Sequence, residues 1–236
     1  MNLTLTVIIP IFNERETVLT VLDRVLAVDL DKEVILVDDG STDGTAEVLK
    51  AAEPKYPGVR FLYHEQNQGK GAAIRTGLSR ARARFTIIQD ADLEYDPEEY
   101  PKLLAPLLEG QARVVYGSRV LGSKKVRSYH RYYWGGRLLS SITNLLYGSS
   151  ITDEPTCYKV TETRILQNLG LKAVGFEFCP EVTAKILRAG FKIHEVPISY
   201  HPRSFEQGKK IKPRDGLIAI WTLLRYRFGK RPPLKG

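Results

Sequence analysis

The chain has 236 residues, 43% of them hydrophobic, which suffices to bury the core of one large α/β domain. Lysine and arginine number 35 against 27 aspartate and glutamate, a formal charge of +8 with a pI near 9.4, so an anionic partner is favoured: nucleic acid, an anionic membrane surface or a phosphorylated substrate. Low-complexity tracts, repeats and bilayer-length apolar runs are absent, and Cys157 and Cys179 lack CxxC spacing, which disfavours disordered, membrane-spanning, disulfide-stapled and zinc-binding readings.

Leu3 to Pro10 reads as a strand without a basic leader before it, so a cytosolic protein is expected. Asn13 then caps a helix, with Glu16 three residues later. Glu33-Val34-Ile35-Leu36-Val37 is a near-continuous apolar strand of the kind covered on both faces, followed by a helix from about Asp43. Val59 to Tyr63 is the next strand, Lys70 to Ala83 a helix, and Phe85-Thr86-Ile87-Ile88 a further strand. A helix to about Glu109 and a strand around Val114-Val115-Tyr116 complete an alternation that predicts βαβ units and a mostly parallel sheet flanked by helices. The second half is less regular, and no linker separates it. It holds a helix from about Tyr132 to Tyr147 with a stripe of Trp134, Leu138, Ile142 and Leu145, then a short strand, two helices and a strand from Lys192 to Ser199. The last helix, Gly216 to about Phe228, carries Leu217, Ile220, Trp221 and Leu224 at helical spacing. Core packing is the first expectation for that stripe, and contact with anionic lipid through Trp221 and the nearby Lys230, Arg231 and Lys235 the second.

In such sheets, ligands bind beyond the carboxyl ends of the strands, where Asp38-Asp39 and Asp90-Ala91-Asp92 both fall. If the extended conformation persists past Ile88, Asp90 and Asp92 point the same way and repel, unless a cation keeps both ionised. Oxygen-only ligands select Mg²⁺ or Mn²⁺ over zinc. A solvated acidic turn ahead of Asp96-Pro97 is the alternative. A dinucleotide fingerprint fails because Ile11-Phe12-Asn13-Glu14 follows the first strand, and a P-loop fails because Gln68-Gly69-Lys70-Gly71 lacks the upstream glycine and the following Ser or Thr. Lys70 stands by glycines where backbone approaches closely and its point charge suits a diphosphate, although a solvated lysine fits equally.

The ordered set Pro10-Ile11-Phe12-Asn13-Glu14, Asp38-Asp39-Gly40-Ser41-Thr42-Asp43-Gly44-Thr45, Asn67 to Ala73, Asp90-Ala91-Asp92 and Gly117-Ser118-Arg119 resembles the family-2 glycosyltransferases of GT-A fold. The likeness is nearest the dolichol-phosphate mannose synthase-like branch, which loads sugars onto polyprenyl phosphates. It implies one GT-A domain over 1–236, with a nucleotide-sugar half (1–117) and an acceptor half (118–236) ending in an amphipathic helix. Pro10, Phe12 and Glu14 would line the nucleoside pocket, Asp39 would accept from the base, and Asp38 would support the ribose side or the loop. Asp90 and Asp92 would hold the divalent metal that bridges the donor diphosphate, beside Ala91 and with Glu94 as third contributor, where many mannose synthases have glutamine. Asp39-Gly40 as a plain turn and Asn13 as a plain cap remain open.

A lipid phosphate monoester is already an oxyanion at neutral pH and needs no general base, whereas a hydroxyl acceptor does. Arginine suits the phosphate through its guanidinium fork. By the resemblance Arg119 and Arg131 hold the acceptor phosphate, with Arg137 as substitute for the second; six residues apart on one helix, Arg131 and Arg137 diverge by roughly 120° and cannot both face it. Arg131 is preferred. Asp153 would be the base for a hydroxyl acceptor and otherwise orders the site. Arg203, Lys209 and Lys210 would close a basic lid over the diphosphate, an approximate match to the pattern R-x-x-G-x-S-K. The expected function is inverting, metal-dependent hexose transfer from a nucleotide sugar of the GDP-mannose or UDP-glucose type to a polyprenyl phosphate, by a peripheral protein on the cytosolic leaflet. A hydroxyl acceptor on a glycan or lipid is the runner-up, and an inert nucleotide-sugar-binding protein the third reading. Nucleic acid is disfavoured because no recognised motif accompanies the basic clusters, and oligomerisation is left open.

Overall fold

The computed structural model describes residues 3–122, 130–203 and 213–229. Among them seven strands form one sheet in the order β3-β2-β1-β4-β6-β5-β7: β1 (Leu5–Ile11), β2 (Lys32–Asp38), β3 (Arg60–Tyr63), β4 (Phe85–Ile88), β5 (Val114–Ser118), β6 (Lys159–Glu162) and β7 (His194–Pro197). Pairings of β1 with β2 and β4, of β2 with β3, and of β5 with β7 are parallel; only β6 runs antiparallel, between β4 and β5. The single α/β domain and mostly parallel sheet therefore agree with the expectation from the alternating elements. Leu5, Val7, Ile8, Ile9 and Ile11 of the central β1 are all at most 1% exposed. Such a run has no polar face to present, so it is stable only with helices on both sides.

Those helices are α1 (Val18–Ala27), α2 (Thr45–Ala52), α3 (Lys70–Leu78), α4 (Tyr100–Leu108), the short α5 (Arg119–Gly122), α6 (His130–Tyr147), α7 (Thr163–Asn168), α8 (Phe178–Arg188) and α9 (Pro213–Phe228). The first crossover places β2 on one side of β1, and the later one places β4 on the other. The reversal leaves a crevice at the carboxyl ends of β1 and β4, where ligands bind in sheets of this kind.

Two boundaries differ from the sequence reading. Asn13 is not a helix cap: α1 begins at Val18, and Asn13 takes φ 53°, its side-chain oxygen accepting from Thr42 N at 2.8 Å. The helix from Lys70 ends at Leu78 rather than Ala83, because the buried Glu33 carboxylate draws Arg82 N (2.5 Å) and Ala83 N (3.1 Å) out of any helical pairing.

The stripes on α6 and α9 also face otherwise than expected. Trp134, Leu138 and Leu145 of α6 and Leu217 and Trp221 of α9 are exposed, Trp134 and Trp221 each by 65%. A second small core of Leu139, Ala184, Ala219 and Leu223 joins α6, α8 and α9. The inward face of α6 is set one residue round and includes Ser140 and Thr143, whose hydroxyls return to the helix's own carbonyls at 2.9 Å. The bulkier apolar face is therefore left outside. Among the described residues no helix is long and apolar enough to cross a membrane.

Candidate active site

A cleft of about 1470 Å³ opens at the carboxyl ends of the parallel strands. Pro10, Phe12 and Glu14 reach it from the end of β1, Asp39 from β2, Lys70 from the start of α3, Asp90, Ala91, Asp92 and Glu94 from β4, and Arg119 from β5. Asp153, Arg137 and Arg203 line it as well. Asp38 stays beneath the surface, accepting from Ser41 Oγ (2.5 Å) and Ser41 N (3.2 Å), so its work is to order the loop after β2.

The acidic turn does not continue as a strand, since β4 stops at Ile88 and Ala91-Asp92 lie in a turn. Alternation along a strand is therefore not what gathers the carboxylates. Gln89, wholly buried, anchors the turn: its Oε1 accepts from the Tyr100 and Tyr158 hydroxyls, both at 2.6 Å, and its amide donates to Asp90 O. Thr17 holds the next peptide by donating to Ala91 O at 2.7 Å.

Each carboxylate has a different cation. Lys70 Nζ meets Asp90 Oδ1 at 2.5 Å, and Arg203 meets Asp92 Oδ2 at 3.1 Å while forking onto Glu14 at 3.0 and 3.1 Å. Glu94 accepts from the Tyr200 hydroxyl at 2.5 Å and from Arg203 N at 2.7 Å, so both its oxygens are engaged away from a third-ligand role. Among the described residues no group of three or more His, Cys, Asp or Glu stands ready-made around one point. Four carboxylates (Glu14, Asp90, Asp92, Glu94) nonetheless share two cations, Lys70 and Arg203. Burial, then the charges of Asp90 and Glu94, push the Asp92 carboxyl up to about 7, and Arg203 only partly opposes them.

The glycines around Lys70 serve a close approach by the chain itself rather than by a ligand. A Cβ on Gly69 would lie 2.3 Å from Val174 O, and one on Gly71 would lie 2.6 Å from Ala173 O. Gly69 also takes φ +99°, which side chains rarely adopt. Ala72 N donates to Val174 O at 3.2 Å, and the packing aims Lys70 at Asp90.

At the other end of the cleft, Arg119 forks onto Asp153 through Nε and Nη2, both at 2.8 Å, and its backbone N–H adds a third bond. Burial alone would raise the Asp153 carboxyl, but the Arg119 charge and hydrogen bonds hold it below the usual range. Glu195 fixes the segment by accepting from Thr152 N (2.7 Å) and Asp153 N (3.0 Å). The Arg119 guanidinium lies 5.0 Å from the Tyr200 ring centroid and 5.9 Å from that of Tyr95, within cation–π range. Arg137 donates to Thr152 O at 3.3 Å, so the structure brings this arginine to the same wall. The Arg131 side chain, Lys209 and Lys210 lie outside the described residues.

Several residues here escaped sequence reasoning. Cys157 packs in the buried core and also places Sγ 3.2 Å from Asp90 Oδ1, and burial pushes its thiol up, so it stays protonated. Its lack of a CxxC partner gave no hint of this. Tyr95 directly follows the acidic turn and Tyr200 precedes His201-Pro202-Arg203, the one local signal that could have marked them.

The description Glycosyl transferase family 2 matches residues 6–170. The chain is 31% identical over 243 residues to an undecaprenyl-phosphate mannosyltransferase of Micrococcus luteus, covering 94% of this chain and 98% of the relative. It is 32% identical over 234 residues to a polyprenol monophosphomannose synthase of Mycolicibacterium smegmatis, covering 92% and 86%. Against a hexosyltransferase of Haloferax volcanii it is 29% identical and spans 54% of the relative's length. In fold it is similar to glucosyl-3-phosphoglycerate synthase of Mycobacterium tuberculosis, crystallised with Mn²⁺, UDP and glucosyl-3-phosphoglycerate (TM-score 0.71, 23% identity, 94% of this chain and 79% of that one). Mannosyl-3-phosphoglycerate synthase of Rubrobacter xylanophilus gives a TM-score of 0.65 at 19% identity, covering 95% and 72%. The fold is similar to that of such GT-A enzymes, and with the family match running through most of the strands that build the cleft, the chain belongs to glycosyl transferase family 2 and is a glycosyltransferase.

Proposed function

We propose that this enzyme moves a hexose from a nucleotide sugar to the phosphate of a polyprenyl lipid. The observation that carries the reading is the continuity of one cleft, lined by the carboxylate cluster at β4, by the arginines Arg119 and Arg137, and by Leu138 and Leu217 from the exposed faces of α6 and α9. Relatives named for polyprenyl-phosphate sugar transfer support the same assignment. Residues 1–117 supply the donor side and 118–236 the acceptor side.

On the donor side Pro10, Phe12 and Glu14 border the nucleoside and Asp39 accepts from its base. Asp90 and Asp92 fit Mg²⁺ or Mn²⁺: two all-oxygen carboxylates, with Asp92 pushed up by burial and by the charges of Asp90 and Glu94, suit a hard divalent ion. Glu94 joins only if its bond to Tyr200 opens. When bound, the ion supplies charge neutralisation for the departing diphosphate. Lys70 and Arg203, released from the carboxylates, turn to the diphosphate oxygens, where Lys209 and Lys210 join them. The acceptor phosphate sits on Arg119, with Arg131 or Arg137 as its second arginine. Asp153 acts by fixing Arg119, because a carboxylate held by three hydrogen bonds from that arginine is a weak proton acceptor. The lipid end is reached from a cytosolic membrane surface on which Trp134 and Trp221 rest.

The hydroxyl-acceptor reading differs at Asp153. Labelled UDP- and GDP-hexoses are offered with polyprenyl phosphate or polyprenol, to the wild type and to Asp153→Asn. Product on the phosphate alone, with Asp153→Asn losing less than the roughly 10²–10⁴-fold expected on removal of a general base, supports the proposal. Transfer to polyprenol that vanishes in the variant sinks it.

A further inference from the structure

Asp39 is 2% exposed yet lines the donor end of the cleft, and its carboxylate is nearly saturated by the protein. An ionised carboxylate has about four acceptor positions, two on each oxygen. Oδ1 accepts from Gln68 N at 3.0 Å and faces His64 Nδ1 at 2.7 Å. Because the carboxylate only accepts, Nδ1 carries the proton, and Thr76 Oγ1, 2.9 Å from Nε2, fixes the ring from behind. Oδ2 accepts from Gly69 N at 2.7 Å. Among the described residues no other hydrogen bond reaches either oxygen, so one acceptor position remains, on Oδ2.

We infer that the donor carries a pyrimidine-2,4-dione base, uracil or thymine, rather than guanine. This rests on the reading of this end of the cleft as the nucleotide site. Uracil and thymine present a single ring N–H between two carbonyls, which one open position satisfies. Guanine presents N1–H and a 2-amino group side by side, a pair that fits a carboxylate only when both oxygens are open. Here the successive amides of Gln68 and Gly69 already occupy one position on each oxygen, and His64 closes Oδ1 altogether. Guanine would bury a donor without a partner, a penalty worth about tenfold or more in affinity. Adenine and cytosine offer no ring N–H at that edge.

The test is calorimetric titration of the full chain with UDP, dTDP, GDP, IDP and N3-methyl-UDP in Mn²⁺. The expected order has UDP or dTDP at least about tenfold tighter than GDP, and N3-methyl-UDP weakened by a similar factor. UDP and dTDP share the dione edge and differ in the 2′-hydroxyl and the 5-methyl group, so tight binding of either supports the inference. IDP, which is GDP without the 2-amino group, should bind at least as tightly as GDP. GDP binding more tightly than both UDP and IDP overturns the inference and leaves the nucleotide site standing. Failure of all five to bind overturns both.

Discussion

Replacing Asp92 by asparagine should stabilise the protein without ligand while removing its response to a divalent ion. The folded carboxyl titrates at about 7 against an ordinary 3.8, raised first by burial and then by Asp90 and Glu94. Between those two values the folded state holds a proton that the unfolded chain has released, so stability falls as pH rises from about 4 to 7 and stays low above it. A difference of roughly 3 units, which already includes the opposing charge of Arg203, corresponds to about 4 kcal/mol at most, and relaxation around the charged carboxylate reduces this to about 1–3 kcal/mol in the variant's favour. The amide oxygen keeps the acceptor for Glu94 N, now at 3.1 Å. For a chain of this size the gain is about 2–8 °C in Tm at pH 8, shrinking towards nothing near pH 4. Scanning calorimetry at both pH values, with and without Mn²⁺ and nucleoside diphosphate, reads it directly. Saturating ligand should reverse the ranking at pH 8, because the wild type alone gains the ligand term. A variant no more stable than wild type at pH 8 would refute the argument that the cluster carries uncompensated charge.

Other perturbations test separate parts of the account. Gly71→Ala forces a Cβ to 2.6 Å from Ala173 O, so it should lower Tm and weaken nucleotide binding by displacing Lys70, as differential scanning and titration would show. Glu181→Ala should cost about 3–5 kcal/mol in denaturant unfolding, since it strands the buried Lys185, 2.6 Å away, and removes the acceptor for Lys172 N, Ala173 N and Tyr226 Oη. The paired change Trp134→Glu with Trp221→Glu touches only exposed side chains, so Tm should hold while sedimentation with anionic vesicles is lost; vesicle binding unchanged from wild type would remove the two helices from any membrane role.

The first half was the more legible part of the sequence because its strands are short, nearly unbroken apolar runs, and each strand end carries its polar residues in order. Asp39, Lys70, Asp90, Asp92 and Arg119 meet in one cleft for that reason. Local pattern could not say which of them touch. Lys70 to Asp90 and Arg203 to Asp92 are contacts between residues 20 and 111 positions apart, set by how α3 packs on the 173–175 backbone and how the chain after β7 returns over β4. Helix faces were misread where hydroxyls stand in for apolar residues. Ser140 and Thr143 satisfy themselves on carbonyls of α6 and so can be buried, which turns Trp134 and Leu138 outward. The helix expected to run to Ala83 was cut short by Glu33, a residue in a distant strand.

Titration of a nucleoside diphosphate into the pure protein, in Mn²⁺ and again in excess chelator, with the double variant Asp90→Ala, Asp92→Ala alongside, bears most directly on the claim that the acidic turn after β4 holds the ion that receives the donor's diphosphate. Binding that needs Mn²⁺ in the wild type and is absent from the variant is the predicted result. Equal affinity in Mn²⁺, in chelator and in the double variant would contradict it.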